Sequence, residues 1–98
     1  MANILSNMLS FSVEKSPYEM RHLLAQRIKF LRKQKKYSQQ ELAERSNVSL
    51  GSYKRFEKSG QISLESLLRI AFILNRLEEF EKLFIPNNLD EIEKLFRE

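Results

Sequence analysis

Residues 38–58 read SQQELAERSNVSLGSYKRFEK, and their patterning is that of two short helices joined by a tight turn. Ser38 is a helix cap, and Glu41, three residues on, can reach back to the Ser38 amide to complete a capping box. Gln39 then takes the first helical position. Leu42 and Ala43 fall on the buried side, where the small alanine lets the next helix cross closely. Ser46, Asn47 and Val48 make the turn, with Asn47 suited to a positive φ. Ser49 caps a second helix over residues 50–58. There Tyr53 and Phe56, at i and i+3, face inward and leave Leu50, Gly51, Lys54 and Arg55 outward.

These residues resemble the Xre family, the phage repressor and Cro type of helix-turn-helix domain, over residues 23–84. The resemblance implies an all-α fold, a compact five-helix repressor-type domain, and binding to double-stranded DNA. It places Gln39 at a phosphate brace, Leu50, Gly51, Lys54 and Arg55 at base edges, and Lys58 at a backbone contact. Arg32 and Glu57 match a pair that ties the first helix to the end of the third. Two residues depart from the pattern: Asn47 replaces the usual turn glycine, and Leu50 with Gly51 replaces the polar pair that usually opens the reading helix.

Charge is distributed as such a reader requires. Residues 1–37 carry eight Lys or Arg against two Glu, whereas residues 61–98 carry five against eight acids, within a net charge of +4. A polyanion should therefore meet the first half of the chain. Lys33, Lys35 and Lys36 follow the first helix, where cations also suit the helix macrodipole. Beside a helix-turn-helix, phosphate contact is the stronger reading. Ser52 joins them as a phosphate ligand, and Arg55 can meet a guanine edge with two hydrogen bonds.

Outward from this centre, residues 1–15 form an N-terminal arm without a clear period. Ile4, Leu5, Met8 and Leu9 fit an amphipathic helix, while Leu9, Phe11 and Val13 alternate like a strand. The arm is expected to pack on its own domain or on a second copy. The domain proper spans 16–85, opening on Ser16-Pro17-Tyr18-Glu19, a capping box with proline at the first helical position. Leu24, Ile28 and Leu31 are the expected inner stripe of that first helix, flanked by Ala25 and Phe30. Ser63 starts a fourth helix to about Leu74 whose nearly continuous apolar residues suggest the central core. Asn75 and Glu78 suggest another box, opening a helix that Ile85-Pro86 ends. Asn88 and Glu91 open an extra C-terminal helix within 86–98, lined on one side by Leu89, Ile92, Leu95 and Phe96. That apolar stripe is the expected seam of a homodimer.

Other function classes find little support. With 98 residues the chain builds one modest core. No cysteine is present, so disulfides and cysteine-type zinc sites are excluded, and the one histidine, His22, reads as a surface residue. No metal, cofactor, catalytic group or membrane span is expected. No basic residue precedes the apolar start, so a secretory signal is not expected, and cytoplasm or nucleoid is the expected address. The leading expectation is a repressor acting as a homodimer on a pseudo-palindromic operator. The alternative rests on residues 62–86, which resemble antitoxins encoded beside HipA-like kinase toxins; that protein would neutralise its toxin and regulate its own operon.

Overall fold

Four serines set the architecture. In the computed structural model, which describes residues 15–97, the hydroxyls of Ser16, Ser38, Ser49 and Ser63 accept from the amides of Glu19, Glu41, Ser52 and Ser66 at 3.0–3.1 Å. Each bond satisfies an amide that the helix itself leaves unpaired. The helices they open are α1 (Pro17–Gln34), α2 (Gln39–Ser46), α3 (Leu50–Ser59) and α4 (Leu64–Ile73). A four-residue α5 (Glu78–Glu81) and α6 (Leu89–Arg97) follow, so the described residues are all-helical with six helices.

Helix ends are equally local in origin. Lys36, Asn47 and Asn75 adopt positive φ of 61°, 57° and 61°. After each, the next amide reaches back to the carbonyl five residues earlier: Tyr37 to Arg32, Val48 to Ala43, and Arg76 to Ala71. These Schellman closures turn the chain sharply with few loop residues.

The core gathers Ala25 and Ile28 of α1, Leu42 and Ala43 of α2, Val48 of the turn, Tyr53 and Phe56 of α3, Ile70 of α4, and Leu74 directly after it. α1 packs on α3, and α2 packs on both α3 and α4. Ala43 is 1% exposed, in keeping with a close helix crossing at a small residue. Ser46 is buried too, and its hydroxyl donates to the Leu42 carbonyl at 2.6 Å, so its polarity costs little.

Several expectations are corrected. The core face of α1 runs through Ala25, Ile28 and the charged Arg32, while Leu24 and Phe30 are exposed. Of the expected stripe, Ile28 lies in the core and Leu31 packs against it, and Arg32 turns inward to Glu57. In α4 only Ile70 and Ala71 are buried within the helix, and Leu64 and Phe72 are more than 60% exposed, so α4 is not enclosed on all sides. Asn75 ends α4 instead of capping α5. The latter has no side-chain cap and stops at Glu81, before Ile85-Pro86. Asn88 does open α6, its Oδ1 accepting from the Glu91 amide at 2.9 Å. Of the arm over 1–15, residues 1–14 lie outside the described residues.

Candidate nucleic-acid interface

α3 has a sharply divided surface. Tyr53 and Phe56 are 0% and 1% exposed, and their rings meet edge to face at 6.2 Å. Gly51, Ser52, Lys54, Arg55 and Lys58 are exposed. Leu50, expected to face outward, is half-buried and packs against the core. At the first position of α3, its apolar side chain gains by covering part of the core. Gly51 is open: a Cβ built there meets nothing within 4 Å.

Glu57, the acid of α3, is turned inward and neutralised. Arg32 donates from Nε to its Oε2 at 2.7 Å and from Nη2 to its Oε1 at 3.2 Å. Gln39 Nε2 also donates to Oε1 at 2.9 Å, and the Tyr53 hydroxyl donates to Oε2. The third arm of Arg32, Nη1, donates to the Tyr37 carbonyl at 2.8 Å. Burial by itself would raise the Glu57 carboxyl, but the hydrogen bonds from Arg32, Tyr53 and Gln39 outweigh it and hold the carboxyl below the usual glutamate range. Bonding to Glu57 raises the Arg32 guanidinium, and burial chiefly raises the Tyr53 phenol.

This network joins the end of α1, the start of α2 and the end of α3. Gln39, expected at a phosphate, is held against Glu57, the neighbour of Lys58. Lys33, Lys35 and Lys36 follow Arg32 closely, are exposed, and form no ion pair among the described residues. Ser52 Oγ accepts from the Ser49 hydroxyl at 2.8 Å, beside the α3 N-terminus. On the turn side, Arg69 Nη1 reaches the Asn47 carbonyl at 3.4 Å, linking α4 to the α2–α3 corner.

Two features were not anticipated. Gln61, beyond the glycine stop of α3, accepts from Arg55 Nε at 3.2 Å and Nη2 at 3.1 Å. The only sequence signal for it is a polar residue placed directly after that stop. His22 is half-buried, its ring 4.5 Å from that of Tyr18. Among the described residues, no His, Asp and Glu group gathers as a metal site would need, and no helix is long and apolar enough to cross a membrane.

Comparisons with known proteins bear on the same region. Nothing matches the chain among curated proteins or among solved structures. The family model described as helix-turn-helix, HTH_3, matches residues 28–80, more than half of the chain. That match spans the C-terminal part of α1, the capped pair α2 and α3, and α4 with most of α5, and the chain therefore belongs to the HTH_3 family of helix-turn-helix DNA-binding domains.

Proposed function

We propose that the chain is a sequence-specific regulator of transcription that places α3 in the major groove and acts as a homodimer on a pseudo-palindromic operator. One observation carries this reading. Of the four charged residues in α3, the acid Glu57 is turned inward and paired, while Lys54, Arg55 and Lys58 stay exposed on a helix whose apolar residues face the core. A phosphate backbone thus meets only cationic and neutral groups, and Gly51 lets the helix approach closely. Arg55 reads a base edge, with Lys54 beside it at base or phosphate. Gln39, Ser52, Lys58 and the lysines after α1 fix the register. A dimer bound across a promoter represses by excluding polymerase.

Selection from random duplex DNA at fixed salt tests the reading, run in parallel for wild type and Arg55→Ala. A palindromic consensus that loses one base preference in the variant supports it. Sequence-blind binding that varies only with salt counts against it.

A second reading adds protein binding to the same fold. An exposed shelf lined by Phe72, Leu77, Leu68 and Ile73, with Arg45 and Arg69 at its margin, favours it. On this reading the shelf holds a kinase toxin, and the antitoxin represses its own operon. Co-purification with a kinase encoded beside this chain, lost on Phe72→Asp, tests it.

A further inference from the structure

Arg55 does not leave α3 as an unrestrained side chain. Gln61 Oε1 accepts from both Nε and Nη2 of the guanidinium, at 3.2 and 3.1 Å. The backbone at Gln61 is itself held in place. Its amide donates to the Ser59 hydroxyl at 3.1 Å, and that hydroxyl donates to the Arg55 carbonyl at 2.7 Å. The preceding Gly60 is buried with φ of 76°, so close to α1 that a Cβ would stand 2.6 Å from the Arg21 backbone. The chain after α3 is thereby set against α1, and it delivers the Gln61 carbonyl to one edge of Arg55.

We infer that Gln61 is a positioning residue that presents Arg55 to a base edge, and this inference rests on the reading of α3 as the DNA-contacting helix. The guanidinium has five N–H donors. Gln61 occupies the edge formed by Nε and Nη2, which leaves the fork between Nη1 and Nη2 facing away from it. That fork matches the O6 and N7 acceptors of guanine in the major groove. Arginine loses considerable rotamer freedom when it is fixed, and a side chain already held in place loses less on binding. In free solution an exposed arginine–amide bond contributes little. At the duplex surface water is excluded and the same bond strengthens, so Gln61 acts on discrimination more than on fold stability.

The test uses the full chain and the consensus duplex selected by wild type, with Gln61→Leu, Gln61→Glu, Arg55→Ala and the Gln61→Leu/Arg55→Ala double variant. The expected result is that Gln61→Leu lowers the preference for guanine at the Arg55 position about tenfold. Melting temperature, affinity for scrambled duplex and salt dependence stay near wild type. Gln61→Glu keeps an acceptor and restores most of the base preference, although its added charge weakens binding to all duplexes. In the Arg55→Ala background, Gln61→Leu has no further effect. The inference is overturned if Gln61→Leu retains the guanine preference, or if its loss appears in full in the Arg55→Ala background, which would make Gln61 a DNA contact in its own right. A wild-type protein that selects no sequence overturns the reading of α3 and this inference with it.

Discussion

Arg32 and Glu57 lie 25 residues apart and meet through two hydrogen bonds, at 2.7 and 3.2 Å, with side chains only 9% and 6% exposed. The pair fastens α1 to the end of α3, and with Gln39 and Tyr37 it also fixes the start of α2. Arg32→Ala leaves a buried carboxylate without its cation, at an expected cost of about 3–5 kcal/mol in urea unfolding. Replacing both partners with methionine removes both charges and is expected to cost less than either single alanine substitution. Equal or greater loss in the double variant would show that the pair stabilises the fold beyond mutual neutralisation.

Acid should reveal the same carboxylate. The folded Glu57 titrates below its ordinary value, so the unfolded chain takes up its proton first as pH falls. The stability it contributes is present above about pH 4.3, the unfolded value, and is lost as pH drops through the lower folded value. Wild type should lose stability as pH falls below about 4.3, whereas Glu57→Gln, weaker at neutral pH, should show a flatter acid limb. At the alkaline end Tyr53 is raised by burial, so its contribution is present below about pH 10 and is lost above it. Urea melts at stepped pH, compared with Tyr53→Phe, measure both limbs.

The two glycines give opposite expectations. Gly60 combines positive φ with a close approach to α1, and Gly60→Ala should destabilise by about 2 kcal/mol or more. Gly51 is helical, with open space around its missing Cβ. Gly51→Ala should stabilise the free protein by about 0.5–1 kcal/mol. If Gly51 faces the duplex closely, the same variant binds its operator more weakly while melting higher. Tighter or unchanged binding would remove Gly51 from the contact surface.

The parts of this structure legible in the sequence are those with local causes. Each serine cap and the Asn47 turn depend on residues within three or four positions, and the Tyr53–Phe56 face follows from helical spacing alone. The inward face of α1 was not legible in helical spacing, because Arg32 becomes an inward residue only when Glu57, the partner the family resemblance implies for it, arrives from another helix. Continuous apolar sequence in α4 offers no period, so Leu64 and Phe72 could not be told from Ile70. Asn75 serves either helix end, and the choice depends on the backbone closing onto Ala71. Gln61 was missed for a similar reason: its bond to Arg55 crosses the Gly60 turn, outside any helical register.

The apolar stripe of α6 gives the last prediction. Leu89, Ile92, Leu95 and Phe96 recur at i, i+3, i+6 and i+7, with Leu89, Leu95 and Phe96 at 75%, 60% and 82% exposure and Ile92 at 36%. α6 has no buried residue, so within one protomer this stripe adds little to the core. Burying such side chains against a second copy yields about 1.5–3 kcal/mol each, offset by the loss of translational and rotational freedom. A two-fold seam there is expected to hold two α3 helices for successive major grooves, roughly 34 Å apart. Leu95→Lys with Phe96→Ser should convert a dimer to a monomer in light scattering at tens of micromolar, with helicity unchanged because both residues are already exposed. Operator affinity should then fall toward that of a single half-site. A wild-type protein that is monomeric at that concentration, with intact helicity, would remove α6 as the dimer seam, and a variant that stays dimeric would place the seam elsewhere on the chain.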